Sequence, residues 1–117
     1  MQRIEFAGIL ETSNREAVES AMSRWLGTDL RMEDEYGAFE KSYEDDSLYV
    51  YCHEAPLGDD TFYLLEGSID GPITNSVARL RSLATICRES GLDHEIDYTE
   101  VDSAGKSLSE EKTIQIS

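Results

Sequence analysis

Two histidines, His53 and His94, two cysteines, Cys52 and Cys87, and 25 carboxylates are the groups in this 117-residue chain suited to acid–base, nucleophilic or metal chemistry. Their spacing argues against most of it. Neither histidine stands at a zinc-site spacing, and Cys52-His53-Glu54 on a strand would send neighbouring side chains to opposite faces, so the three do not share one metal. No metal and no cofactor is expected. Nucleophilic catalysis needs a Ser or Cys with a base and an orienting group, and the chain lacks both the G-x-S-x-G elbow and the glycine loops that hold phosphate. Asp45-Asp46 and Asp59-Asp60 read as solvated turn residues, since neither has the length or glycine placement of a calcium loop. No catalytic residue is assigned.

The aromatic residues are more informative. If Leu48, Val50 and Cys52 point inward, Tyr49, Tyr51 and His53 point outward, on the side that also takes Glu33, Glu35, Asp93, Glu95 and Asp97. Aromatic rings among carboxylates on an open sheet face resemble the centre and rim of a protein interface. Tyrosine is also favoured in strands for packing alone, and a hairpin folded over this face would bury the rings.

Charge narrows the partner classes. Against 25 acids stand ten Lys and Arg, a net charge of −15, and residues 29 to 70 alone carry 13 acids and 2 bases. The segment 71–91 comes to +2, so the negative charge lies on strands and loops rather than on helices. Phosphate binding relies on clustered Lys and Arg, which disfavours direct contact with nucleic acid or an anionic membrane. A basic protein is the complementary partner. The first residues lack a basic region followed by an apolar run and no stretch reaches 18 apolar residues, so neither a signal peptide nor a membrane span is expected, and the expected location is cytoplasmic. Cys52 and Cys87 fall at apolar positions and are read as buried reduced thiols.

A chain of this length forms one domain with one core, spanning 1–117. The stretch Thr61 to Gly91 organises it. Phe62 to Leu65 is an apolar run dense enough for a central strand, Gly67 and Gly71 form the link, and Asp70 or Gly71 caps a helix that Pro72 opens and Gly91 stops. Ile73, Val77, Leu80, Ala84 and Cys87 make the helix's inner stripe, widened by Leu83 and Ile86. An N-terminal strand with Ile4 and Phe6 on one face precedes a first helix, for which Ser13 and Glu16 predict a reciprocal capping box. Ala17, Val18, Ala21, Met22 and Trp25 line that helix. A strand from Asp29 to Glu35, hairpins over 38–53, a loop over 55–60 and a last strand from Leu92 follow; Lys112 to Ile116 either adds an edge strand or frays.

Residues 2–35 and 62–98 thus repeat the order strand, link, helix, strand. This doubled βαβ predicts an α+β two-layer sandwich of ferredoxin-like arrangement, with an added hairpin and two helices on one face of a mainly antiparallel sheet. The favoured functional reading is a non-enzymatic binding protein whose acidic sheet face captures a basic protein, as an immunity protein or a nucleic-acid mimic does. One alternative is a small enzyme or ligand-binding protein with a pocket near His94 and Tyr98, both on the inward side of the last strand. Another is a structural subunit that assembles through its edge strands, for instance as a homodimer.

Overall fold

In the computed structural model, residues 2–57 and 60–115 are described, except for the side chains of Glu35 and Leu57. The elements run β1 (Arg3–Leu10), α1 (Arg15–Leu26), β2 (Glu33–Glu35), β3 (Ala38–Glu44), β4 (Leu48–Leu57), β5 (Asp60–Asp70), α2 (Ile73–Glu89), β6 (His94–Val101) and β7 (Lys112–Thr113). The strands form one sheet in the order β2-β3-β4-β5-β1-β6-β7, antiparallel at every pairing. The fold is α+β. β4 runs in the same direction as β1 with β5 between them, and β6 in the same direction as β5 with β1 between them.

Alternation along the strands sorts their residues into two sets. Ile4, Phe6 and Leu10 of β1 share a face with Leu48, Val50 and Cys52 of β4, Tyr63, Leu65 and Ile69 of β5, and Ile96 of β6. All are buried, and they form one core with Val18, Ala21, Met22 and Trp25 of α1 and Leu80, Leu83, Ala84 and Cys87 of α2. Both helices therefore lie on this face. Trp25 meets Phe6 edge-on at 6.3 Å, and its indole N–H donates to the Arg79 carbonyl at 2.8 Å, which ties α1 to α2.

Local structure departs from the sequence reading at several points, each for a physical reason. The capping box at Ser13 does not form: Asn14 is the N-cap, its carboxamide accepting from Ala17 N–H at 3.2 Å, while Thr12 Oγ1 accepts from Asn14 N–H. Asp70 does not cap α2, because Arg3 takes its carboxylate; Gln2 Oε1 accepts from Ile73 N–H instead, with Pro72 at the cap position. Gly91 does stop α2, with a left-handed φ of 72° and a bond from Leu92 N–H to the Cys87 carbonyl.

Gly67 is not a link but an interior residue of β5. A Cβ there would lie 1.9 Å from the Tyr49 carbonyl oxygen, so the close approach of β4 requires glycine. The loop expected over 55–60 is shorter, since β4 runs to Leu57 and β5 starts at Asp60; Gly58 and Asp59 lie outside the described residues. The strand expected from Asp29 shrinks to Glu33–Glu35 at the sheet edge, where it runs in the direction of β1 but with β3, β4 and β5 between them; the strand of that direction nearest β1 on this side is β4. Leu30 and Met32 are buried as their alternation predicted, but their backbone bonds go to α1: Ser23 Oγ accepts from Leu30 N–H at 2.8 Å and Glu19 Oε2 from Met32 N–H at 2.7 Å. Side chains of the helix replace the ladder. Tyr36 and Gly37, with φ of 54° and 87°, make the tight β2–β3 turn.

Candidate functional site

The face of the sheet away from the helices carries the candidate site, and it is built in rows by the strand register. One row reads Glu40, His53, Leu64, Ile9, Glu95 from β3 to β6. The next reads Ser42, Tyr51, Glu66, Ala7, Asp97, and the third Glu44, Tyr49, Ser68, Glu5, Thr99. Beyond it Arg3 Nε and Nη2 bond the Asp70 carboxylate at 2.6 and 3.2 Å.

Tyr49, Tyr51 and His53 stand side by side along β4. Tyr49 is 41 % exposed, whereas Tyr51 and His53 are half-buried, their rings stacked with centroids 4.9 Å apart and planes 19° off parallel. The Tyr51 hydroxyl donates to the Glu40 carboxylate, and that bond, with burial and the charge of Glu66, pushes its pKa up to about 12. Tyr51 is thus a neutral donor at physiological pH.

Of the expected acids, Glu95 is exposed at the β6 end of its row, and Asp97 accepts from Thr113 Oγ1 at 2.6 Å. Asp93 precedes β6 and is exposed; its carbonyl accepts from Glu11 N–H. Glu33 is set apart on the far edge strand, opposite Glu40, with Lys41 Nζ 3.3 Å from its carboxylate. The side chain of Glu35 lies outside the described residues. The aromatic row and the β6 acids are therefore not adjacent: β5 and β1 separate them by three strand spacings, roughly 14 Å.

The residues that fill this gap are Glu66, Glu5 and Ala7, which the sequence reading did not place in the site. Alternation along β5 put Glu66 opposite in sense to Leu65, but only the order β4-β5-β1-β6 brings it between Tyr51 and Asp97. Among the described residues no ion pair neutralises Glu5, Glu66 or Glu95. A concavity of about 520 Å³ opens over Ala7, walled by Glu5, Tyr49, Glu66, Asp97 and Thr99, with Ser107 and Glu111 of the C-terminal segment at its rim. Among the described residues that line it the only cation is Arg3, held by Asp70. Carboxylates that only accept, next to ring faces, suit ammonium and guanidinium groups.

His94 and Tyr98 share the helix-side face of β6 but stand four residues apart, roughly 13 Å along the strand. His94 Nδ1 lies 3.0 Å from the Leu92 carbonyl, and His94 does not line the concavity that Tyr98 reaches. Cys52 and Cys87 are buried and free, and burial pushes their pKa values up to about 12 and about 11, which leaves them protonated and poorly nucleophilic at neutral pH. Among the described residues no group of three or more His, Cys, Asp and Glu is arranged to hold a metal ion, and no helix is long and apolar enough to cross a membrane. No family model matches the chain, and no curated protein or solved structure matches it either, so the chemistry of this face is read from its own residues.

Proposed function

We propose that this protein is a non-enzymatic binding module whose open sheet face captures a basic protein, in the manner of an immunity protein or a nucleic-acid mimic. One observation carries the reading: with both helices on the other side, the described residues leave uncovered a face bearing Tyr49, Tyr51 and His53 beside Glu66, Glu5 and Glu95, for which they supply no ion pair. Rings supply contact area, and carboxylates set partner sign and steer encounter. We read the four strands β4-β5-β1-β6 with their two helices as a ferredoxin-like arrangement to which β2, β3 and β7 are additions. The two free thiols support a reducing, cytoplasmic setting.

The test is affinity capture from the source cells at low and at high salt, run in parallel with the wild-type protein and a Glu66→Gln/Asp97→Asn variant. The expected result is a basic protein retained at low salt by the wild type and released by salt or by the double substitution. Equal retention by both proteins would remove this face from the interaction.

A further inference from the structure

Among the described residues, the edge of β3 is only half covered. β2 pairs with Ala38, Phe39 and Glu40, then the chain that precedes it leaves the sheet, because Met32 and Leu30 give their N–H groups to Glu19 and Ser23 of α1. β3 itself continues to Glu44, paired with β4 on its other side.

The direction of the uncovered groups follows from the turn. In a two-residue hairpin the residues flanking the turn exchange both backbone bonds, so Ala38 bonds Glu35 across it, and Glu40 bonds Glu33. Residues of even number in β3 therefore aim their N–H and C=O at this edge, and odd ones at β4. The Asp45 N–H, which bonds the Leu48 carbonyl on the β4 side, fits that alternation. Ser42 and Glu44 consequently offer their N–H and C=O groups to the outside, and the side chains of both are exposed. Such a row is a template for an added strand.

Charge selects the guest. On the open face a guest residue opposite Ser42 lies diagonal to both Glu40 and Glu44, and a guest residue opposite Glu44 faces that carboxylate directly. A second copy of this chain would bring another net charge of −15 to the same edge. We propose that the basic partner enters as an extended segment with Lys or Arg at alternate positions, adding as a strand along Ser42–Glu44 in line with β2. This rests on the basic-partner reading above and adds the backbone mode of docking, next to the row where Ser42 neighbours Tyr51 and Glu44 neighbours Tyr49.

The probe is the peptide acetyl-Lys-Val-Lys-Thr-Lys-Val-Lys-amide, titrated into the isotope-labelled protein, with amide hydrogen exchange as readout. A control peptide of the same sequence carries N-methyl groups at alternate amides. The expected result is slowed exchange at Ser42 and Glu44 with the first peptide and none with the control. Ser42→Pro removes an edge donor without touching the β4 ladder and should weaken binding by roughly threefold to tenfold or more. Glu44→Lys should weaken it too, independently of any effect of proline on folding.

Shifts confined to Glu66 and Asp97, abolished by Glu66→Gln/Asp97→Asn but unchanged by Ser42→Pro, would keep the acidic face and overturn strand addition. Protection at Ser42 that persists in Glu66→Gln/Asp97→Asn would support the edge and tell against the face. Absence of binding at millimolar peptide, equal effects of the two peptides, or concentration-dependent protection without peptide would each overturn the proposal, the last in favour of self-pairing.

Discussion

On the helix-covered face, Ile4 of β1 and Leu65 of β5 are buried and Phe6 meets Trp25 edge-on; one residue along on the same two strands, Glu5 and Glu66 are exposed on the face that carries Tyr49. The backbone is shared, so the alternation of side chains alone divides stability from recognition. Substitutions on one face should cost folding and leave the other's chemistry in place. That separation can be broken or sharpened by experiment.

Leu80→Ala should have the largest effect on stability, because Leu80 is fully buried in the middle of α2's inner stripe and its loss leaves a cavity costing about 2 to 5 kcal/mol. Urea denaturation monitored through Trp25 measures it. Gly67→Ala tests whether the two faces are as separable as they look. Its Cβ would meet the Tyr49 carbonyl at 1.9 Å, so β4 has to move, at a cost of about 1 to 3 kcal/mol, and the aromatic row moves with it. A variant that loses stability without shifted Tyr49 and Tyr51 resonances would show that the strands absorb the strain locally.

Asp45 joins the hairpin to α2 on the covered side. Its carboxylate accepts from Ser47 and Leu48 N–H, from the Tyr43 hydroxyl and from Arg79, and Trp25 in turn bonds the Arg79 carbonyl. The Ser47 bond is the leading cause of a folded-state pKa well below the usual carboxylate range. A depressed carboxylate stabilises above its unfolded value of about 4 and loses that contribution as pH falls through the folded value. Asp70, held down by Arg3, acts in the same direction. Asp45→Ala should therefore cost about 0.5 to 2 kcal/mol at pH 7 and flatten the fall in stability below pH ~4.

Two smaller effects belong to the open face. Raising ionic strength from about 0.01 to 0.1 M shortens the screening length from roughly 30 to 10 Å, so repulsion among the surface carboxylates should fade and the melting temperature should rise. A fall over that range would contradict it. Glu95→Gln together with Glu66→Gln should change stability by less than about 0.5 kcal/mol for each exposed site. The same pair should slow association with a basic partner and reduce its salt dependence, as stopped-flow mixing would show.

What the sequence made legible follows from how far apart the cooperating residues lie. Alternation within a strand placed Tyr49, Tyr51 and His53 opposite Leu48, Val50 and Cys52, and helical spacing picked out Leu80, Ala84 and Cys87, because both signals are local. Leu30 and Met32 alternated like a strand yet bond to Ser23 and Glu19, since burial fixes which side chains point inward and not which groups satisfy the backbone. Gly67 read as a break because a glycine's tolerance of close approach looks, in sequence, like a tolerance of turns. Glu66, Glu5 and Ala7 were missed as the middle of the site because their adjacency depends on strand order, a long-range property.

That strand order also governs how the chain reaches its fold. β1 precedes the other six strands, yet its partners are β5 and β6, with Arg3 and Asp70 67 residues apart in sequence. β2 to β5 are joined by successive local hairpins, with short loops to close, whereas β1 is bound only by the distant strands β5 and β6. Topologies dominated by such distant pairings fold on the slower, millisecond-to-second side. A sheet of β2 to β5 without β1 would leave the backbone groups along one edge of β5 bare, so any state in which those hairpins precede β1 is open to mispairing between chains.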